Sequence, residues 1–203
     1  MRRRGAFGPR PLLNPFNKYA MTYTRVSLKQ KKGAPRPKSS LIVLVPYDDI
    51  DTWPTRGEDD IKTVGDLVLT TGALAIGMYA TATTISRVDT QEGDPDAEGF
   101  LQTISFDHPG NSLEFEHFVQ KWIGKPFIVI STECGDQNGQ RMHGWKCNPV
   151  YFTVEAQDNN EAVKTTLNWS TRLRSGYKSA FYDGAIPALA PDPAGEGSAG
   201  GGV

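Results

Sequence analysis

Residues 150–173, VYFTVEAQDNNEAVKTTLNWSTRL, decide the fold. Val150, Phe152 and Val154 alternate with Tyr151, Thr153 and Glu155, the period of two that sets apolar side chains on one face of a strand. A polar turn at 158–160 then returns the chain as a second strand over 163–173. Upstream, residues 127–132 (FIVIST) and 41–47 (LIVLVPY) are short β-branched apolar runs, as expected of strands covered on both faces or lying at a sandwich core. Pro46 ends the pairing of the second run, because it has no N–H to donate. The pair Asn138-Gly139 predicts a hairpin turn within 135–140, which would set His143 opposite Cys134.

Residues 64–69 and 73–88 also read as strands, the second rich in Thr and long enough to bend or to project past a sheet. The loop 89–99 (DTQEGDPDAEG) carries five acids and no base, and it leads into a strand over 100–107 whose Gln102, Ile104 and Phe106 share one face. Together they predict a long hairpin with an acidic tip. One helix is expected over 112–123, capped by Asn111 with Glu114 three residues on; Leu113, Phe118, Val119 and Trp122 fall at helical spacing, and Gly124 and Pro126 stop it. The polar segment 48–60, with Pro54 and Gly57, lifts Trp53 into an exposed loop. Strands, one helix and a further meander of strands predict a mainly β domain. Its expected form is an antiparallel β-sandwich or barrel with the helix across an open end or edge.

Charge divides the 203 residues differently. The chain holds 22 Lys and Arg against 23 Asp and Glu, a net charge of −1, yet residues 1–38 hold 11 of the basic residues and no acid. That leaves 11 basic against 23 acidic residues, or −12, for residues 39–203. Pro9, Pro11, Pro15, Pro35 and Pro37 break the basic segment, which is expected to be an extended arm rather than a folded unit. Its Leu12, Leu13, Phe16 and Tyr19 predict that part of the arm lies along a surface. Met21 offers a second start, which would make residues 1–20 an upstream extension. Residues 39–184 form the expected domain, and 185–203, Pro, Ala and Gly from Pro187 onward, a flexible, disordered tail. No apolar run reaches the roughly 18 to 20 residues that span a bilayer, and no apolar signal segment follows Arg2, Arg3 and Arg4, so neither membrane insertion nor ordinary secretion is expected.

Cys134, His143 and Cys147, with His117 or His108 as a distant fourth donor, are the candidates for zinc, but their spacing matches no paired-ligand pattern. Both cysteines are expected to be reduced. The acid clusters Asp48, Asp49 and Asp51, then Glu58, Asp59 and Asp60, then Asp94, Asp96 and Glu98 lack the fixed alternation of a calcium loop and read as solvated charge. No nucleophile elbow, phosphate loop, HExxH or dinucleotide fingerprint occurs. No catalytic residue, metal or cofactor is therefore expected, and the chain does not read as an enzyme. A lectin-like or hydrolytic sandwich would need a carbohydrate or metal signal that is not present.

The basic arm fits two partners. It would neutralise nucleic-acid phosphates, or it would pair with the acidic body of a second copy. The second is favoured in a self-assembling protein, because each copy carries both complementary surfaces and a head-to-tail contact closes into a ring or grows into a filament. A targeting or merely solubilising end is the plain alternative.

The segment 125–177, KPFIVISTECGDQNGQRMHGWKCNPVYFTVEAQDNNEAVKTTLNWSTRLRSGY, resembles tail structural proteins of tailed bacteriophages. The order of elements over about 40–184 resembles the tail-tube, or major tail protein, fold: a β-sandwich with one flanking helix and a long hairpin, shared with the tubes of contractile injection systems. The resemblance implies a structural virion protein, assembled in the host cytoplasm, whose six-fold rings stack into a tube or neck. Its partners would be itself, other tail or neck proteins, and DNA crossing the lumen without specific binding. Phe16, Tyr19, Arg25, Trp53, Asp94, Asp96 and Glu98 are the expected assembly contacts, aromatics and Arg being the commonest interface anchors. The competing expectation is a nucleic-acid-binding β domain using the arm on phosphates and exposed aromatics on bases.

Overall fold

The computed structural model describes residues 35–57, 61–134 and 136–191. The chain divides at Pro35, and Arg36 onward forms one compact unit. Its strands are β1 (Lys38–Pro46), β2 (Ile50–Thr52), β3 (Thr55–Arg56), β4 (Thr63–Val64), β5 (Val68–Leu69), β6 (Ile76–Tyr79), β7 (Ser86–Glu92) and β8 (Gly99–Pro109). Helix α1 (Leu113–Trp122) follows, then β9 (Phe127–Glu133), β10 (Asp136–His143), β11 (Val150–Asp158), β12 (Val163–Thr171) and β13 (Ala180–Phe181). The protein is mainly β.

Nine strands form one antiparallel sheet in the order β13-β10-β9-β11-β12-β8-β7, with β1 beside β9 and β6 beside β1. Strand β9 meets β11 only at Phe127 and Val150, so the sheet folds at that point into two halves. Among the described residues it does not close into a barrel. Strand β8 crosses the other half: its Gln102 Oε1 accepts from the Gly144 N–H just after β10, and six residues on, His108 Nδ1 lies 2.8 Å from the Tyr79 carbonyl at the end of β6.

Alternation decides what fills the space between the halves. Ile42, Leu44, Phe127 and Val129 from one half meet Ile104, Phe106, Phe152, Leu167 and Trp169 from the other. Phe115, Phe118, Val119 and Trp122 of α1 pack onto the same cluster, so the helix covers the core as expected. The opposite faces of β1 and β9 are buried too, where Val43, Val45, Ile128 and Ile130 join Met142, Leu67, Ala75 and Tyr182. This double burial is what the continuous apolar runs 41–47 and 127–132 signal. Each large side chain so buried contributes roughly 1.5–3 kcal/mol of transfer free energy.

Several expectations are corrected. The run 73–88 is not one long strand: Thr84 Oγ1 donates to the Thr81 carbonyl at 2.8 Å and accepts from the Asp107 N–H at 2.9 Å, making a 3-10 corner at Ala82–Thr84 between β6 and β7. Its threonines mark a bend. The run 64–69 is likewise split, by Gly65 at φ +92°, into β4 and β5. Asn138-Gly139 is not a turn, since Asp136 already pairs with Glu133 and a register shift then brings Arg141 to Ser131 and His143 to Val129. Gly139 is required for close approach instead: a Cβ there would lie 2.7 Å from the Glu133 side chain. Nor is the second half a plain meander, because β10 leads into a corner at Gly144 (φ +86°) and β11 pairs with β9, not β10.

The helix cap is Ser112, whose hydroxyl accepts from the Phe115 N–H, and not Asn111, which donates to Asp158. Leu113 is 72% exposed, off the apolar face assigned to it, which Phe115 occupies instead. Residues 185–191, placed in the flexible tail, are bonded to the body: the Ala75 N–H donates to the Ala188 carbonyl at 2.9 Å and the Ala190 N–H to the Ala75 carbonyl at 2.7 Å. Residues 192–203 lie outside the described residues.

The Trp169 ring is fully buried, with ring centroids 4.8 Å from Phe152 and 5.2 Å from Phe127. Trp169→Ala is expected to cost about 3–5 kcal/mol in urea unfolding, and Leu113→Ala to stay within about 0.5 kcal/mol of wild type. Equal effects would remove Trp169 from the centre of the core.

Candidate functional site

A hairpin with an acidic tip forms, but the expected loop 89–99 is shorter, since Asp89–Glu92 belong to β7 and Gly99 opens β8. β7 and β8 pair from Ser86–Ser105 to Glu92–Gly99, and the tip between them exposes Asp94, Asp96 and Glu98. The Arg174 guanidinium lies close against Gly93 at its base. Beyond β8, β7 has no backbone neighbour among the described residues; it ends the strand path.

Side chains join β7 and β8 to the far half of the sheet. Glu133, at the end of β9, faces Arg36 Nη1 at 3.2 Å, Lys38 Nζ at 3.5 Å and Arg87 Nη1 at 3.7 Å. The root of the basic arm is thus tied to an acid of its own chain, and the Pro37 carbonyl accepts from the Cys134 N–H. Arg87 Nη1 also donates to the Gly139 carbonyl at 3.3 Å; burial lowers the Arg87 pKa to about 10, Glu133 acting against the shift and Arg141 adding to it. Asp89 accepts from Ser179 N–H and Oγ at 3.0 and 2.8 Å, and Arg141 donates to the Ser179 carbonyl at 3.0 Å. His143 is fully buried in this polar region, where desolvation, opposed by Asp89 and reinforced by Arg87 and Arg141, pushes its pKa down to about 3.

A second constellation, which sequence spacing does not bring together, lies where Tyr177 separates two clefts. Arg56 of β3 has its guanidinium 4.5 Å from the centre of the Trp145 ring and 4.7 Å from that of Tyr177, and its Nη2 donates to the Lys178 carbonyl at 3.3 Å. The cleft on this side, about 390 Å³, is lined by Trp53, Arg56, Trp145, Lys146 and Tyr177. The other, also about 390 Å³, has Phe100, Arg141, Tyr177, Lys178 and Phe181 in its walls, with Asp89. Arg141 lies 3.5 Å over the Phe181 ring and Lys178 Nζ 5.6 Å over Phe100.

Of the residues expected at an assembly contact, Asp94, Asp96 and Glu98 stand together at the exposed tip. Trp53 is not lifted into solvent; β2 pairs with β5 and folds the segment over the second cluster, leaving the Trp53 ring half-buried, 5.3 Å from Tyr47 and 6.0 Å from Trp145. Phe16, Tyr19 and Arg25 lie outside the described residues, as do Glu58, Asp59 and Asp60. Cys134 and Cys147 are free and exposed, whereas His143 sits opposite Val129 and not Cys134. Among the described residues no three His, Cys, Asp or Glu gather as ligands. His108 stacks on Phe115 with ring centroids 4.2 Å apart, and His117 is exposed on α1.

Neutral His143 has a pH consequence. In the unfolded chain it titrates near 6.5, in the fold near 3, so between these values only the unfolded state takes up the proton. Its contribution is complete above pH 6.5 and is lost as pH falls, by up to roughly 1.4 kcal/mol per unit. Asp107 acts in a lower window. Burial raises its pKa, but hydrogen bonds from Lys164 and Thr166 and the Lys164 charge outweigh burial and hold the carboxylate below its usual range. Melting at pH 5 is therefore expected several degrees below that at pH 7.5, a difference that His143→Gln largely removes. An unchanged pH dependence in that variant would clear His143 of the effect.

Comparison of the chain with models of protein families, with curated proteins and with solved structures finds no match.

Proposed function

We propose that this chain is a non-enzymatic structural subunit of a phage virion, whose copies assemble into rings, six-fold in the leading form, that stack into a tail tube or neck. In this reading the two halves of the sheet are the facing layers of a β-sandwich. The observation that carries the proposal is the free edge of β7. The strand is seven residues long, and every second one turns its N–H and C=O away from β8 towards that edge; the side chains of Ser86, Val88 and Thr90 are exposed. Such an edge is an aggregation hazard in a monomer and a pairing surface in a closed ring.

The opposite edge supports the same reading. Just before β6, Ala75 is bonded to Ala188 and Ala190, and Pro191, next along, has no N–H to offer an incoming strand. Of the three ends of the sheet, β13 is two residues long and the start of β6 is blunted, so that β7 is the long open edge, which suits a directed contact better than indiscriminate growth. The −12 body has a role in a tube as well: acids around a lumen repel DNA phosphates, so that the genome passes without sticking. The arm, anchored at Glu133, would reach an adjacent subunit from there.

Negative-stain microscopy of the purified chain at high concentration is expected to show rings or tubes of uniform diameter. Val88→Lys, a charge on the exposed face of the β7 edge, is expected to leave the melting temperature within a few degrees and to abolish assembly. A wild-type chain that stays monomeric at all concentrations refutes the proposal.

A further inference from the structure

The 11 basic residues that follow position 38 are not spread evenly. Four of them, Arg56, Arg141, Lys146 and Lys178, line the two clefts that meet at Tyr177. Arg172 and Arg174 stand on the exposed segment between β12 and Tyr177. Among the residues lining both clefts the one carboxylate is Asp89, and Ser179 already bonds both of its oxygens. On a body with a −12 excess, this face selects anions.

The aromatic rings narrow the class of anion. Trp145 and Tyr177 hold Arg56 between them, which fixes the rings at one side of the junction, while Tyr177 itself remains 41% exposed. Beyond it, Phe181 is 37% exposed on the wall of the second cleft. Flat rings at successive positions beside flexible lysines are the parts of a single-strand platform: bases stack on rings, at about 1–3 kcal/mol each, and phosphates meet the cations. An acidic peptide would use the charges and leave the rings idle. A duplex, its bases already stacked on each other, would use the charges alone.

We propose that these clefts bind single-stranded nucleic acid, with Tyr177 as the stacking residue and Lys146 and Lys178, exposed on either side of it, as phosphate contacts. The inference does not rest on the tube reading; it concerns a face of each subunit whether or not subunits assemble.

The basic arm binds any polyanion, so the test must separate the two. Fluorescence anisotropy of a labelled oligothymidylate is measured on the full chain over a salt series. Lys146→Glu with Lys178→Glu is expected to weaken binding at least tenfold and to lower the slope of log affinity against log salt by about 1.4, two contacts at about 0.7 each. Lys146→Arg with Lys178→Arg is expected to keep both affinity and slope. Tyr177→Ala should weaken binding about fivefold or more at unchanged slope, and Tyr177→Phe should not. All three positions are exposed, and circular dichroism checks that each variant folds. Binding that ignores all these substitutions belongs to the arm and overturns the proposal. So does equal affinity for a duplex of the same length, or displacement of the oligonucleotide by micromolar peptide DTQEGDPDAEG, which would mark the clefts as a receptor for the acidic hairpin.

Discussion

The structure depends on one strand with no free side. Strand β9 pairs with β1 along one edge, with β10 along the other and with β11 at its first residue, and Phe127 to Ile130 are completely buried on both faces. A strand so placed leaves few options to its neighbours. Its odd residues face one cluster, the even ones the other, and a shift of one residue would exchange the two sets. The side chains are too closely packed for either core to accept that exchange. Register is thus fixed at the centre and passed outward, first to β1 and β10, then through Phe127 and Val150 to the hairpin of β11 and β12.

The edges are governed by different physics. At the centre, apolar burial and backbone ladders decide, whereas β7 is held to the other half by charged side chains reaching across: Arg87 to Gly139 of β10 and Glu133 of β9, Asp89 to Ser179 just before β13. Breaking any one of these leaves a partner without its counterpart in a half-buried site, which costs more than the pair itself contributes. The junction is therefore specific without being strong. It also sets where the basic arm begins, because Arg36 and Lys38 share the same Glu133.

How far the sequence reveals this depends on the range of each interaction. Alternation in 150–155 and 100–107 and the apolar runs at 41–47 and 127–132 are local patterns, and they place the strands, the double burial and most of each buried face, although Val154, on the apolar side of its alternation, is exposed. The acidic hairpin is legible for the same reason. Local turn chemistry misleads where a distant group overrides it. Asn138-Gly139 carries a hairpin signal, but Glu133 occupies the space a Cβ at Gly139 would need, and the reversal moves upstream. The threonines at 81–84 favour an extended strand by propensity, yet Thr84 bonds Asp107 and turns the chain. Trp53, read as exposed from its polar neighbours, is covered because β2 pairs with β5. The cation and aromatic face was out of reach altogether: Arg56, Trp145 and Tyr177 are separated by 89 and 32 positions, and nothing short of the fold brings them together.

Charge is segregated twice, first between arm and body and then within the body, where the cations collect around Tyr177 and the tip of the hairpin keeps its acids. The two separations have different consequences in salt. In the proposed assembly, attraction between the basic segment and a neighbour's acids would be screened over about 8–10 Å at physiological ionic strength, so by itself it would direct subunits more than hold them. Holding would then fall to contacts that salt does not weaken, such as the backbone pairing proposed for the β7 edge, where Val88 is exposed. The proposed binding in the clefts would differ again, because a stacked ring keeps its share of the binding free energy after the phosphate contacts are screened. Raising the salt would thus remove the arm's contribution first, leave the edge untouched and reduce the clefts only in part, an order that follows from how much of each interaction is carried by charge.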